Sequence, residues 1–522
     1  MNKKIVGMFV CMLLISTTGI SVSFAGNIVT RSIDNAMPLG HETPLTRDIK
    51  PIRNTNDFYP LPMDTQVSSA PEEETHLSCA KDGDGNPFVI YDKKYDISTS
   101  NLITQFSSDK GASWPEDLIV EWNMEDIIAI NPDISMLSDN IFAFGTFETA
   151  GQEPEVDMLI YPDIADPETW QITYFDRTGT SSYVYETAAA TKGENTVAIA
   201  CLLDYDTGEE YFENTILINW NCNRGEDTWP GVYWLNTQGP YSHLTGDAGE
   251  KIFFCAEQEQ TDGRYSIKAY YCNVSETTVY SDWDSGSVAG SRGNCTNPDI
   301  SVSGNRAYCV YMDDKNGNQD VYVATTTSGS YWNKYVIAES PDDELYPVIS
   351  ANGDEAVCTF IKNNNLYVTE TKDAGKTWSD PVKVNDDTGS VISEYGSIDI
   401  IDAYGFWASN REGNNDIFFE EVGQFAEVVI DEISGGMGIK VALSNVGNAD
   451  AEEVPWSITI DGKLVFSGAD TSGTISIPAG GSATINSGFV LAIGKITITV
   501  TVDSKTLTFS GFALGPFLLN VS

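Results

Sequence analysis

A short pattern that recurs along the chain constrains its fold more than any other feature. Residues 107–115 and 371–378 both read Ser/Thr-x-Asp-x-Gly-x-Ser/Thr-Trp, and residues 325–332 are a degraded copy that keeps the Gly and the Trp. Weaker versions end at Trp170, Trp229 and Trp283, so that a Trp recurs roughly every 50 residues. A repeat of that period predicts a series of similar supersecondary units.

A second signature opens each unit. Residues 131–135 and 297–301 are the same pentapeptide, Asn-Pro-Asp-Ile-Ser, and related openings occur at residues 74–78, 186–188, 241–245, 346–350 and 395–399. Two short strands joined by a polar turn follow each opening, and a fourth strand follows the Trp in most units. Four antiparallel strands per unit are typical of a propeller blade. The openings favour seven blades; six remain open if the second or third unit is an embellishment.

The repeats divide the chain into domains. The last unit lacks its Trp and its fourth strand, and an open ring would leave a sheet edge exposed. We therefore predict that a strand from an extended arm, residues 26–71, completes the last blade of a propeller over residues 72–425. From residue 426 onward, about seven short strands separated by turn signals predict an Ig-like β-sandwich over residues 426–522. The whole chain is expected to be all-β.

The N-terminus and the charge of the chain predict its location. Residues 1–25 combine Lys3 and Lys4, an apolar run and small residues at Ser23 and Ala25, which is the pattern of a cleaved signal peptide. We expect a secreted or cell-surface protein with no membrane span in the mature chain. The net charge of −47, with only 29 Lys and Arg, argues against nucleic acid or anionic lipid as a partner.

Eight cysteines remain once Cys11 has been cleaved off with the predicted signal peptide. In an exported chain they allow disulfides. Cys201 and Cys222, and likewise Cys255 and Cys272, flank predicted hairpin turns, so each pair is a candidate disulfide. The alternative is that these positions only require a small buried residue.

The repeated pattern is the Asp box, and its parts are those of a stabilised turn. The Asp accepts backbone N–H bonds, the Gly adopts positive φ and the Trp buries a large ring. We assign this structural role to Asp109, Gly111, Trp114, Asp373, Gly375 and Trp378. On these motifs, residues 74–425 resemble the sialidase-like propellers with BNR repeats. Residues 443–450 resemble the CARDB-like accessory domains of exported surface proteins.

The resemblance to sialidases implies an arginine triad that grips the substrate carboxylate, with one arginine in an Arg-Ile-Pro motif at the start of the first blade. In this chain His76-Leu77-Ser78 occupies that place. The arginines of the propeller lie elsewhere, at Arg177, Arg224, Arg264, Arg292, Arg306 and Arg411. Because other side chains replace bidentate arginine poorly, we do not expect standard sialidase activity.

Any site is expected at the mouth of the axial channel, where the openings converge. Aligning the openings places His76, Asp133, His243 and Asp299 at one position of units one, two, four and five. Such a ring suits a metal or acid–base chemistry; alternatively, Asp after Asn-Pro is an ordinary turn residue. Two acidic loops, residues 82–86 and 314–320, have the spacing of calcium ligands, although hairpin turns explain them equally. Calcium is therefore the one cofactor left open.

These features support two functions. The first is a secreted or surface protein that binds a glycan or a surface protein through the loop face of the propeller. The alternative is a glycoside hydrolase or polysaccharide lyase with a non-standard site in the same mouth. Paired carboxyl groups about 5 to 9 Å apart would favour the hydrolase.

Overall fold

The computed structural model describes residues 64–521, with gaps at 83–84, 96–99, 116–118, 123–126, 138–139, 150–154, 162–170, 175–181, 194, 207–210, 223–230, 235–239, 274–282, 423–425, 427, 446–449, 503–504 and 520. The predicted signal peptide, most of the predicted arm, Trp170, Trp229, Arg177 and Arg224 lie outside the described residues. Every regular element in the described part is a strand, so the chain is all-β as predicted. None of the described segments forms a helix long and apolar enough to cross a bilayer.

The first described strand is β1 (Thr65–Gln66), and twenty-seven strands follow it up to residue 421. They form four-stranded antiparallel units, which we call blades 1 to 7; a parallel pairing of Ser100 with Ile128 joins blades 1 and 2 into one eight-stranded sheet. Blade 1 contains β2 (Glu73–Lys81), β3 (Pro87–Lys94), β4 (Ser100–Phe106) and β5 (Ile119–Trp122). Blade 2 contains β6 (Ile127–Leu137), β7 (Asn140–Thr149), β8 (Glu155–Tyr161) and β9 (Gln171–Tyr174). Blade 3 contains β10 (Ser182–Lys192), β11 (Thr196–Asp206), β12 (Tyr211–Asn221) and β13 (Gly231–Trp234).

The remaining blades repeat this plan. Blade 4 contains β14 (Tyr241–Ala248), β15 (Ile252–Glu259), β16 (Tyr265–Cys272) and β17 (Asp284–Ala289). Blade 5 contains β18 (Cys295–Ser303), β19 (Arg306–Asp313), β20 (Asp320–Thr326) and β21 (Asn333–Ala338). Blade 6 contains β22 (Glu344–Asn352), β23 (Glu355–Lys362), β24 (Asn365–Thr371) and β25 (Val382–Lys383). Blade 7 contains β26 (Ile398–Ile401), β27 (Tyr404–Ser409), β28 (Asp416–Glu421) and β1.

The blades form a closed ring. The first strand of each blade contacts the first strand of the next, from β2 through β6, β10, β14, β18 and β22 to β26, and β26 contacts β2 again. This arrangement is a β-propeller. Middle strands are covered by a neighbouring blade on each face, so they are buried almost throughout, as β19 shows.

The Asp boxes form turns at the outer side of blades 1 and 6. In the first, Asp109 Oδ1 accepts the Ser113 backbone N–H at 2.8 Å and Oδ2 accepts its hydroxyl at 2.6 Å. Asp373 makes the matching bonds to Thr377 at 2.9 and 2.7 Å. Gly111 and Gly375 have φ of 84° and 80°. These residues therefore hold turns far from the channel.

The Trp of a turn packs on the preceding blade. Trp114 of blade 1 lies edge-on to Phe406 and Phe419 of blade 7, with ring centroids 5.6 and 5.5 Å apart. Trp332 of blade 5 lies 6.0 Å from Phe253 of blade 4 in the same geometry. The recurrent Trp thus stabilises the contact between blades.

The last blade is completed from the N-terminal side. Thr65 and Gln66 of β1 pair antiparallel with Phe419 and Phe418 of β28. Val67, buried beside them, contributes its carbonyl to the Gln105 side chain of blade 1 at 2.9 Å. The segment therefore covers the edge of β28 and links blade 7 to blade 1.

Three buried charged groups lie where β1 joins blade 7. Arg411 Nη1 contacts Asp64 Oδ2, and its guanidinium lies 4.0 Å from the Phe418 ring centroid. Both carboxyl oxygens of Glu420 are buried without a hydrogen-bond donor, as is Oδ1 of Asp64. Burial, followed by contact with the Asp64 carboxylate, raises the pKa of Glu420 to about 10. A carboxyl group with this pKa keeps its proton at neutral pH.

We expect Glu420→Gln to stabilise the protein increasingly as pH rises. The wild-type folded state holds a proton that the unfolded state releases above its ordinary pKa of about 4.5, so its stability falls as pH rises toward 10. The amide removes that dependence. Chemical denaturation at several pH values should show the gain of the variant over wild type growing by at least about 1 kcal/mol between pH 6 and 8. Glu412→Gln, at an exposed residue of the same sheet, is the control; an equal gain in both variants would refute the assignment.

Nine further strands form two sheets beyond the propeller, where the sequence predicts about seven. They are β29 (Val428–Ser434), β30 (Lys440–Asn445), β31 (Ala451–Gly462), β32 (Val465–Ser467), β33 (Asp470–Ile477), β34 (Ser482–Asn486), β35 (Leu491–Val502), β36 (Lys505–Gly515) and β37 (Phe517–Leu519). The smaller sheet has the order β29-β30-β34, and the larger one β33-β31-β35-β36-β37 with β32 on β35. Aliphatic residues such as Val441, Ile460 and Ile498 form their shared core.

The strand register does not place the members of either candidate disulfide opposite each other. Across the β15–β16 hairpin Cys255 faces Ala269, whereas Cys272 faces Ile252, three residues away along β15. Cys201 likewise faces Leu217, and Cys222 follows the end of β12. Cysteines that flank a hairpin turn in the sequence are therefore not directly opposite each other in these two hairpins.

Candidate functional site

The innermost strands surround an axial cavity of about 540 Å³. All seven blades contribute to its wall, which runs from the Lys81 end of β2 to the His76 end. We call the end lined by His76, Glu186, Asn297, Tyr346 and Tyr395 the mouth.

The structure corrects the alignment of the four predicted ring residues. Asp133 and Asp299 occupy equivalent places, since their Oδ2 atoms accept the backbone N–H of Ala189 and Ile349 in the next blade, at 2.5 and 2.7 Å. His76 and His243 do not share that place. The hydroxyls of Ser78 and Thr245, two residues further on, bond to Asp133 and Asp299 at 3.0 Å each. The two His therefore lie two residues nearer the mouth.

A β-bulge in the innermost strand shows which residues are equivalent. The pairing of β2 with β3 skips His76, and that of β18 with β19 skips Asn297 and Pro298. His76, His243, Asn297 and Tyr346 all have positive φ, between 36° and 51°. His76 and His243 are thus equivalent to Asn297, not to Asp299. Bulges redirect side chains, and here they present these residues at the mouth.

Asp399 of blade 7 is the third member of the aspartate ring. Its Oδ2 accepts the Cys79 backbone N–H at 2.8 Å, which is the bond that Asp133 and Asp299 make to their neighbouring blades. Asp247, one step deeper, bonds the N–H of Val302 at 2.6 Å. These aspartates connect adjacent innermost strands, and this bonding accounts for their burial without requiring catalysis.

The four aspartates Asp133, Asp247, Asp299 and Asp399, which we call the aspartate ring, have raised pKa values. Burial raises the pKa of Asp133 and of Asp299 to about 6, that of Asp247 to about 7 and that of Asp399 to about 8. The charge of Asp299 adds to the increase at the other three. Ionising all four together is therefore unfavourable near neutral pH.

At the mouth, a side chain from blade 7 reaches across to blade 3. The Tyr395 hydroxyl donates to Glu186 Oε1 at 2.5 Å. The Tyr395 ring also lies edge-on to the His243 ring of blade 4, with centroids 4.4 Å apart. Burial raises the pKa of Glu186, and the nearby His243 and the Tyr395 hydroxyl oppose that increase. Three blades thus meet in one polar cluster.

Two His–carboxylate pairs flank this cluster. His76 Nδ1 lies 3.0 Å from Asp92 Oδ2, and His243 Nδ1 lies 2.7 Å from Glu257 Oε1. The second contact is an ion pair whose geometry is not that of an aligned hydrogen bond. Burial lowers the pKa of His243, but the Glu257 carboxylate raises it more, so the net pKa is above its usual value. The two rings are 27% and 32% exposed, which leaves them accessible to a ligand.

The wall of the cavity is acidic. Its residues include six carboxyl groups, whereas Lys81 is its single Lys or Arg among the described residues and is paired with Asp402. The wall residues are Asp82, Asp133, Glu186, Asp247, Asp299 and Asp399. An anionic ligand would meet repulsion there. The arginine triad that the sialidase resemblance implies is missing from this wall.

The predicted calcium loops form hairpin turns as far as they are described. Asn316 and Asn318 donate their amides to Asp320 at 2.8 and 3.1 Å, while Asp314 accepts the backbone N–H of Asn294 at 2.6 Å. Asp82 accepts the backbone N–H of Asn86 at 2.7 Å, and Asp84 lies outside the described residues. Across the described chain, no three His, Cys, Asp or Glu side chains are arranged to hold a metal ion.

Sequence reasoning missed Glu186, Tyr395, Glu257, Asp92 and Asp399. One signal was present: within or directly after the openings, Asp-Ile occurs at residues 133–134, 299–300 and 399–400, where it marks the equivalent aspartates. Glu186 and Tyr395 carried no such signal, because they meet only when blades 3 and 7 face each other across the ring.

Comparison with known proteins finds only distant structural likenesses. No family model and no curated protein matches the chain. Similar solved structures include an α-L-arabinanase from Penicillium chrysogenum complexed with arabinobiose, at 11% identity over 57% of this chain and 93% of that chain, with a TM-score of 0.41. A sialidase from Trypanosoma rangeli is 12% identical over 77% and 89%, with a TM-score of 0.38. The lectin BP39L from Burkholderia pseudomallei is 11% identical over 72% and 97%, with a TM-score of 0.44.

Proposed function

We propose that this protein is exported and binds an uncharged or amino-sugar carbohydrate chain at the mouth of the propeller. The observation that carries the proposal is the convergence of Glu186, His76 and Asn297 with the rings of Tyr346 and Tyr395 around one cavity. Carboxylate, amide and imidazole groups exchange hydrogen bonds with sugar hydroxyls, and aromatic rings pack against sugar C–H faces. Pockets that orient a ligand combine such groups in this way.

The charge of the wall supports this choice of ligand. Six carboxyl groups against a single paired Lys favour neutral or cationic sugars and disfavour sialic or uronic acids. The signal-peptide pattern of residues 1–25 supports export, which is where polymeric glycans are met.

We expect Tyr395→Ala and Glu186→Gln each to weaken binding of a neutral or amino glycan at least about tenfold, the loss of one desolvated ring contact or charged hydrogen bond. A glycan array should identify the ligand, and titration calorimetry should measure the variants. Tyr331→Ala removes a ring that is 71% exposed on blade 5 and is the matched control. Preference for sialylated or uronic glycans, or no binding to any glycan, would overturn the proposal.

A second candidate function, glycoside hydrolysis, is favoured by one specific observation. Glu186, with its raised pKa, is hydrogen-bonded to Tyr395, and the His243–Glu257 pair lies beside them. A carboxyl group of raised pKa beside a second carboxyl group is an arrangement that general acid–base chemistry uses. Release of reducing ends from a bound glycan that stops in Glu257→Gln, while binding persists, would establish it. Absence of turnover on every glycan that binds would exclude it.

A further inference from the structure

The larger C-terminal sheet carries an unusual exposed face. Large apolar side chains that are 36% to 61% exposed lie on β32, β35, β36 and β37. We call them the apolar face: Phe466, Leu491, Ile493, Phe512, Leu514, Phe517 and Leu519.

Strand register places these side chains together. Ile493 of β35 pairs with Leu514 of β36, and Leu514 pairs with Phe517 of β37. Phe512 likewise pairs with Leu519. Directly opposite residues of antiparallel strands point to the same side of a sheet, so these residues form adjacent rows. Ala492, Ala513 and Leu518, which alternate with them, are buried in the core of the module.

The size of the apolar face exceeds what a monomer usually exposes. Large side chains present roughly 150–250 Å² each, so seven of them at about half exposure amount to about 600 Å². Exposed Leu464 and Phe489 border the face in sequence and bring it toward about 800 Å². A standard stable interface buries about 800 Å² on each partner.

The surroundings of the apolar face resemble a protein interface. Along the same side of β35 the apolar residues give way to Lys495, Thr497 and Thr499, and along β36 to Ser510 and Thr508. An apolar centre with a polar rim is typical of protein–protein contacts. These residues lie on the outer face of the larger sheet, and the residues that alternate with them are buried on its inner face. The sheets of a β-sandwich pack against each other through apolar faces of this kind.

Local charge indicates a second copy of the chain as the partner. The protein carries −47 overall, yet residues 463–522 contain three Lys and two Asp, which gives +1. Two copies that meet through this region bring together no large like charge, whereas contact between acidic propellers would be repelled. An interface of this kind is self-complementary.

We propose that the apolar face is the interface of a homodimer formed by sheet-on-sheet packing of two C-terminal modules. If the proposed function holds, the dimer carries two mouths and binds polymeric glycans with avidity. The dimer itself does not depend on that function, so its test is independent of any glycan.

Sedimentation velocity of the exported chain from about 1 to 100 μM, at low salt and at about 0.5 M NaCl, tests the proposal. We expect a dimer that tightens with salt, because screening reduces the repulsion between the two acidic chains. The double variant Phe512→Thr/Leu514→Thr keeps residues suited to strands and should weaken dimerisation at least about thirtyfold, whereas Tyr331→Thr should not.

Three results would overturn the proposal. They are a wild-type monomer at every concentration and salt level, a dimer that persists in the double variant, and a monomer that instead binds neutral lipid vesicles through the same residues. Equal melting temperatures of the double variant and wild type would show that loss of the dimer is not loss of the fold.

Discussion

Gly111→Ala is expected to destabilise the propeller by about 2–5 kcal/mol, much more than the same change at Gly263. Both residues are in the left-handed region, with φ of 84° and 80°. A Cβ at Gly111 would overlap the ring of Phe419 in blade 7, whereas a Cβ at Gly263 would meet nothing within 4 Å. The two variants therefore share the backbone strain of roughly 1–2 kcal/mol, and only Gly111→Ala adds the cost of overpacking, about 1–3 kcal/mol.

Urea unfolding of the two variants measures this difference directly. The loss of unfolding free energy in Gly111→Ala beyond that in Gly263→Ala reports how rigidly the first Asp box is packed against the last blade. Phe419 is itself held between Trp114, Tyr404 and Phe406, so the ring has little room to move away. Equal effects in both variants would mean that blades 1 and 7 are loosely joined, contrary to the closed ring described above.

Removal of the closing segment is expected to have the second large effect. A chain that begins at residue 72 lacks β1, the buried Val67 and the Asp64 partner of Arg411. Loss of Val67 burial costs about 1.5–3 kcal/mol, and an uncompensated buried Arg costs about 3–5 kcal/mol. Their sum is comparable with the whole stability of an ordinary domain.

A chain that begins at residue 61 keeps all these contacts and is the matched control. We expect the control to melt as wild type does, and the shorter chain to melt far lower or to aggregate through the uncovered edge of β28. Thermal unfolding with light scattering records both effects. An unchanged melting temperature in the shorter chain would show that blade 7 does not need β1.

Local sequence features were sufficient for the repeated parts of the fold. The Asp109 and Asp373 turns, the Trp packing and the four-stranded units follow from short-range chemistry, so each copy of the pattern carries its own information. The channel residues were harder to assign. His76 and Asp133 look equivalent when the openings are aligned by sequence alone, but the bulges show that His76 is equivalent to Asn297, two residues before Asp299.

The residues of the mouth could not be predicted from local patterns, because they meet through contacts between distant parts of the chain. Glu186 is separated from Tyr395 by 209 residues, and although each begins a blade opening, nothing in those openings pairs the two residues. Their contact follows from the number of blades and the diameter of the ring, which local patterns do not specify. The cysteine pairs raise the same difficulty, because only the strand register shows that Cys255 faces Ala269 and Cys272 faces Ile252.

The contact of Tyr395 with Glu186 has a consequence for how the protein matures. Blade 3 is synthesised long before residue 395 leaves the ribosome, so a growing chain carries half of the mouth without its counterpart. If the proposed function holds, ligand recognition begins only once the final blade has docked. A bound ligand would in turn hold the two sides of the ring together and slow its opening.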